Sequence, residues 1–246
     1  MQKRTGGEIY IGVVGPVRTG KSTFIKRFMD VAVLPYMEDA AQKTRAQDEL
    51  PQSAGGRTIT TTEPKFIPQE AVELKLAGEV TIRVRLVDCV GFMVEGAAGH
   101  LEDGAERLVK TPWYDHEIPF TQAAELGTRK VITDHSTIGV VVTTDGSFSD
   151  LPQETYLDAE NQAISELKKL HKPFLVLVNS SHPSSRTARE AAERIEKQHS
   201  VAAMPVNCAQ LSEEDIRQIM EQILYEFPVT EVEFYVPKWV EMLSRE

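Results

Sequence analysis

Short apolar runs alternate with stretches in which apolar residues recur at helical spacing along most of the chain. This alternation predicts an α/β domain with a largely parallel sheet. Ile9-Tyr10-Ile11-Gly12-Val13-Val14 reads as a buried strand that runs into a glycine loop, and Lys21 to Leu34 reads as a helix stopped by Pro35. Residues 36 to 63 are polar and rich in Gly, Gln and Thr, the composition of a mobile loop. Phe66 to Leu76 and Val80 to Val87 alternate apolar and polar positions around Ala77-Gly78-Glu79, which predicts an antiparallel edge hairpin. A long connection over 89 to 135 carries Gly96, Gly99, Gly104 and Thr111-Pro112-Trp113-Tyr114, with one helix expected near Gln122 to Thr133. The alternation resumes with strands at Ile138 to Val142, Pro173 to Val178 and Val201 to Val206. Helices are expected at Glu154 to His171, Ser185 to His199 and Glu213 to Phe227. The rhythm breaks after Pro228, so the expected organisation is one domain over 1–228 and the start of a following region over 229–246, where the chain end reads as a cut.

Composition narrows the class. A chain of 246 residues suits one large domain with insertions. No apolar run approaches the roughly 20 residues of a membrane span, and the N-terminus has no apolar signal core, which points to a cytoplasmic protein with no direct membrane span. Cys89 and Cys208 are too few for a disulfide framework or a zinc site and read as small core residues. A formal net charge of -10 disfavours a nucleic-acid partner or an anionic lipid surface, because a phosphate polymer is repelled over most of such a surface.

Gly15-Pro16-Val17-Arg18-Thr19-Gly20-Lys21-Ser22 matches G-x-x-x-x-G-K-[ST] and lies between a predicted strand and a predicted helix, the context that the motif's chemistry requires. The glycines let backbone N–H groups and the helix N-terminus face an anion, Lys21 reaches the β and γ phosphates, and Ser22 ligates Mg²⁺. Downstream, Val87-Asp88-Cys89-Val90-Gly91 closes an apolar strand with Asp-x-x-Gly. Asp88 there can hold the magnesium shell and the Gly91 N–H can meet the γ-phosphate. A threonine that completes the shell is expected in Arg57-Thr58-Ile59-Thr60-Thr61-Thr62-Glu63-Pro64, with Thr61 and Thr62 the first choice and Thr58 the fallback. The expected fold is therefore a P-loop NTPase, a mostly parallel sheet with an antiparallel edge hairpin and helices on both faces.

Two positions depart from a GTPase. Guanine-specific members of this architecture carry Asn-Lys-x-Asp after the corresponding strand, where this chain has Asn179-Ser180-Ser181-His182, so Asn179 remains and the guanine-reading carboxylate is missing. Gly91 is followed by Phe92, and a phenyl ring cannot orient the attacking water. Arg18 is either a built-in cation for the transferring phosphate, a solvent-facing side chain, or a partner of Asp145. The readings in play are an ATPase that drives a structural assembly, a regulatory GTPase-type switch with an atypical base pocket, and, more remotely, a small-molecule kinase.

Several strings carry a closer resemblance: Arg4-Thr5-Gly6-Gly7, Gly15 to Phe28, Asp48-Glu49-Leu50-Pro51-Gln52-Ser53, Thr61-Thr62-Glu63-Pro64-Lys65-Phe66, Val87 to Gly91, Thr111 to Tyr114, and His135 to Gly146. With these the chain resembles the stage IV sporulation protein A family over essentially its whole length. The resemblance implies a P-loop NTPase fold of the translation-factor-like GTPase type and a morphogenetic ATPase of endospore formers that binds and hydrolyses Mg-ATP and self-associates into filaments, forming the basement layer of the spore coat around the forespore in the mother-cell cytoplasm. It implies that Lys21, Asp88 and the pair Thr61 and Thr62 match the family's Walker A lysine, Walker B aspartate and sensor threonines. It also implies a small amphipathic membrane-associated recruiting protein and coat proteins as partners, engaged through regions that this chain lacks, since family proteins are about twice as long.

Overall fold

A computed structural model of the chain describes residues 8–51, 63–75, 81–97, 101–102 and 105–227. The first strand, β1 (Glu8–Val14), lies near the middle of a six-stranded sheet, because almost every residue in it is apolar and both of its faces are covered. It is followed by α1 (Lys21–Phe28), α2 (Ala40–Asp48), β2 (Lys65–Lys75) and β3 (Thr81–Asp88). The long connection forms two small hairpins, β4 (Leu101–Glu102) with β5 (Ala105–Glu106) and β6 (Leu108–Thr111) with β7 (Tyr114–Pro119), before α3 (Phe120–Lys130). Then come β8 (Ile138–Thr144), α4 (Leu157–Lys169), β9 (Phe174–Asn179), α5 (Arg186–His199), β10 (Ala203–Val206) and α6 (Glu213–Tyr225).

The sheet order is β10-β9-β8-β1-β3-β2. All neighbours are parallel except β2 and β3, so the expected edge hairpin is present, with its turn outside the described residues. Alternate residues of each strand feed two cores. Ile9, Ile11 and Val13 with Leu86, Val140 and Leu177 meet Phe24, Ile25 and Phe28 of α1 and Ile216, Ile219 and Ile223 of α6. Val14, Val87, Val141 and Val176 meet Val131, Ile164, Leu167 and Ile195 on the other face. Each large apolar side chain buried this way contributes about 1.5–3 kcal/mol, and the result is a helix–sheet–helix sandwich.

Three expectations change. Pro35 does not stop the first helix. The α-helix ends at Phe28, a π-helical turn spans Met29–Val33, and Pro35 lies inside a 3-10 turn, Leu34–Tyr36. The supposed mobile loop contains α2, capped by the Asp39 carboxylate, which accepts from Ala41 N (2.8 Å) and Gln42 N (3.3 Å). Only Ala46 of that helix is buried, so hydrophobic spacing could not reveal it. The 89–135 connection carries two hairpins in addition to the predicted helix. The following region expected over 229–246 lies outside the described residues, as does most of the threonine string.

Candidate functional site

The loop between β1 and α1 is shaped by its glycines. Gly15 has φ 127° and Gly20 φ 98°, and a Cβ on the first would overlap the Val142 carbonyl oxygen while one on the second would overlap the Asn179 amide. Thr19 Oγ1 contacts two loop-bracing carbonyls, Val142 O at 2.6 Å and Pro16 O at 3.0 Å. Helix α1 begins on Gly20 with no side-chain cap, so its first-turn N–H groups stay available to an anion. Lys21 is 5% exposed, and its Nζ donates to Pro16 O (2.5 Å) and Gly15 O (3.5 Å). Burial holds this ammonium below its ordinary pKa, opposed by the nearby Cys89 and Asp88. A desolvated cation at a helix N-terminus is an anion site by its electrostatics alone.

Asp88 ends β3 directly beside Val13 of β1, which places its carboxylate next to the start of α1. Ser22 Oγ donates to its Oδ2 at 3.3 Å, while its Oδ1 is buried and has no hydrogen-bond partner. Burial pushes the Asp88 pKa up, and Lys21, Ser22 and the Cys89 backbone pull it back. A hydroxyl beside a carboxylate with one unpaired oxygen fits a hard divalent cation that takes its remaining ligands from water and phosphate. No cluster of three or more His, Cys, Asp or Glu side chains occurs among the described residues, which suits that kind of site rather than an all-protein cage.

The segment after Asp88 is laced to the phosphate loop. Phe92 N donates to Gly15 O (3.0 Å) and Val17 N to Phe92 O (2.9 Å), a parallel bridge that fixes Gly91 against Lys21. Gly91 has φ 103°, and a Cβ there would lie 2.5 Å from Lys21 Nζ. Its N–H donates at 3.0 Å to Thr128 Oγ1 of α3, a residue that sequence reasoning did not single out. Phe92 is 1% exposed, a core side chain. Burial pushes the Cys89 thiol up to about 11 and that of Cys208 to about 12, and both are free and inert core residues.

Asn179 braces the site. Its Nδ2 donates to Thr19 O (2.9 Å) and its Oδ1 accepts from Cys208 N (3.0 Å), which leaves a single Nδ2 hydrogen for any nucleotide. Around it, Ser147 Oγ accepts from Ser181 N (2.8 Å) and Ser180 Oγ from His182 N (3.0 Å), so the loops after β8 and β9 are tied by serines where a guanine reader would carry a carboxylate. Asn207 is engaged in its own turn, its Oδ1 accepting from Ala209 N (3.1 Å). Arg18 makes no ion pair with Asp145. The Asp145 carboxylate instead accepts from Ser147 N (3.0 Å) in a turn, and Arg18 has φ 62° with a buried, unpartnered Nε. Gly15, Pro16, Val17, Arg18, Thr19, Gly20, Lys21, Ser22, Asp88, Gly91 and Asn179 therefore converge at the carboxyl ends of β1, β3, β8 and β9, whereas Thr58, Thr61 and Thr62 lie outside the described residues. Two clefts of about 600 Å³ and 590 Å³ lie elsewhere, sharing Phe66 and Arg85, and contain none of these groups.

Residues 1–228 match the family described as stage IV sporulation protein A, ATPase domain. The chain belongs to that family. It is 51% identical over 245 residues to stage IV sporulation protein A of Clostridioides difficile (strain 630), covering 100% of this chain and 50% of that protein. It is 47% identical over 242 residues to stage IV sporulation protein A of Bacillus subtilis (strain 168), covering 98% of this chain and 49% of that protein. The chain thus spans about half the length of these relatives of the stage IV sporulation protein A family. A solved structure described as the complex of SsGBP with GDP superposes with TM-score 0.51 over 92% of this chain and 52% of that one at 12% identity, which supports the P-loop NTPase fold and nothing finer.

Proposed function

We propose that this domain binds Mg-ATP on the Gly15–Ser22 loop and hydrolyses it, and that hydrolysis drives self-assembly of a spore coat basement layer around the forespore. The observation that carries the reading is the junction of a buried Lys21 with the Ser22–Asp88 pair at an uncapped helix N-terminus, in a chain whose family is described as an ATPase domain.

Each residue has a physical role in it. Lys21 and the first-turn amides of α1 bind the β and γ phosphates. Ser22 and Asp88, joined by Thr61, hold Mg²⁺, which when bound neutralises charge on the phosphate oxygens. Thr61 and Thr62 sense the γ-phosphate, and Gly91 donates its N–H to it. Asn179 keeps the loop in register and takes part in nucleotide binding through its remaining hydrogen. Phe92, being core, leaves the water to another group. The working place is the mother-cell cytoplasm at the forespore surface, with filament contacts, a small amphipathic recruiting protein and coat proteins as partners. Among the described residues no helix is long and apolar enough to cross a membrane.

Turnover of ATP and GTP with Mg²⁺, measured on the wild type and Lys21→Ala, tests the reading. ATP should be used at least as well as GTP with selectivity of about tenfold or less, the worth of one hydrogen bond, and Lys21→Ala should lose binding by roughly a hundredfold or more. A hundredfold preference for GTP would replace the ATPase with a GTPase switch, and unchanged binding in Lys21→Ala would remove the phosphate site altogether.

A further inference from the structure

The Gly91 amide is already in use within the protein, and its acceptor is a side chain of a helix outside the phosphate loop. It donates at 3.0 Å to Thr128 Oγ1, and that hydroxyl in turn donates to Ala124 O at 2.8 Å. Thr128 is 0% exposed, so no water competes for its oxygen. One N–H makes one full hydrogen bond, and a γ-phosphate that takes the Gly91 amide must draw it from Thr128.

What lies behind Thr128 gives that exchange a destination. The other end of α3 is fastened to the hairpin region: Phe120 N donates to Arg107 O (2.8 Å), Thr121 N to Glu106 Oε1 (3.0 Å), and the Arg107 guanidinium lies 4.4 Å above the Phe120 ring. Lys130, two residues beyond Thr128, lies 5.9 Å from the Trp113 ring at the β6–β7 turn. The same hairpin exposes Leu108 and Tyr114. Helix α3 therefore joins the Gly91 amide to a hairpin packed against it that carries exposed apolar residues.

Resting on the nucleotide reading above, we propose that Thr128 is a positioning residue that holds the Gly91 amide in the absence of a γ-phosphate and passes its release through α3 to the β6–β7 hairpin. The hydroxyl sets the discrimination between nucleoside tri- and diphosphate, since only the former competes for the amide.

Titrating Mg²⁺ with ADP or a non-hydrolysable ATP analogue onto the wild type, Thr128→Val and Thr128→Ser tests this. The valine variant removes the competing acceptor, so its preference for the analogue over ADP should rise roughly three- to tenfold, while serine should stay within about twofold of the wild type. In a Trp239→Phe background, which leaves Trp113 as the only tryptophan, the analogue should shift its emission and ADP should not, and Thr128→Val should abolish the difference. An unchanged preference in Thr128→Val, or the same change in Thr128→Ser, overturns the role of the hydroxyl. If the valine variant does not fold, an equal Trp113 response to both nucleotides in the parent overturns the coupling. A parent that binds neither nucleotide takes the phosphate-site reading down with the proposal, a result distinct from binding with unaltered preference.

Discussion

At the scale of single residues, burial sets the behaviour of the charged groups. Asp88 has its pKa raised above the ordinary 3.8, with desolvation the largest cause. The folded protein therefore holds this proton more tightly than the unfolded chain. Ionised Asp88 costs stability above its folded pKa, and that cost is relieved as pH falls through the folded value toward 3.8. In the role proposed for Asp88 the carboxylate is what holds Mg²⁺, so as pH is lowered magnesium-dependent nucleotide affinity should begin to fall above the ordinary carboxylate range, approaching about tenfold per pH unit below the folded pKa. Titrations at fixed nucleotide across pH, with Asp88→Asn as the variant lacking the step, check this. Asn179 offers a second case. Replacing it with Ala leaves Cys208 N and Thr19 O without their partners in a buried place, at a cost of about 1–3 kcal/mol per unsatisfied group. Asn179→Ala should lower denaturant stability by about 2–6 kcal/mol and weaken nucleotide binding, because the loop loses its brace.

At the scale of elements, helices α4 and α5 are keyed to the sheet by one buried carboxylate. Glu160 of α4 is 1% exposed, accepts from Thr143 Oγ1 of β8 at 2.6 Å and pairs with Arg194 of α5 at 2.7 Å. The Arg194 side chain is 30% exposed, so water already screens part of the attraction. Arg194→Met should destabilise the domain by about 1–3 kcal/mol, less than a fully enclosed pair would lose. Glu160→Gln, which keeps the shape and the Thr143 contact, should recover part of that loss in an Arg194→Met background, and a double-mutant cycle by denaturant melts measures the coupling. The π-helical turns are explained at the same scale. Buried residues after the phosphate loop fall at Phe24-Ile25, Phe28-Met29 and Ala32-Val33, and those of α3 and its extension at Ala123-Ala124, Gly127-Thr128 and Val131-Ile132. Pairs four apart drift around an ideal helix of about 3.6 residues per turn, and one wide turn restores their direction toward the sheet.

For the whole molecule, the proposed phosphate site gathers parts from chain positions as distant as Gly15 and Cys208 into one end of the sheet. Nothing short of the folded sheet holds them together, so a ligand that binds there stabilises the entire domain. At about a hundred times its Kd, Mg-ATP should add about 2.7 kcal/mol, a Tm rise of roughly 5–10 °C for a domain of this size. Thermal melts with and without Mg-ATP measure this, and Lys21→Ala should show no rise.

The phosphate loop, Asp88 and the parallel alternation were legible in the chain because each is written in consecutive residues: a turn that needs glycine, an apolar run, a carboxylate at its end. Helix α2 was hidden by its polarity, since a capping Asp39 and a single buried Ala46 leave no apolar stripe. The π-helical turn after α1 did leave a trace, the four-residue repeat of apolar pairs Phe24-Ile25, Phe28-Met29 and Ala32-Val33, which a 3.6-residue spacing passes over. Thr128 left none. Its importance arises only because α3 brings it to the Gly91 amide, 37 positions away in the chain. The same holds for Asn179, legible as the remnant of a base-reading motif, yet turned by the fold into a brace between the phosphate loop and the Cys208 turn. The sequence by itself determined the class of fold and the groups able to meet a phosphate. Tertiary structure alone decided which donors are already engaged and which element each is tied to, because a hydrogen bond between distant residues depends on packing that no local spacing encodes.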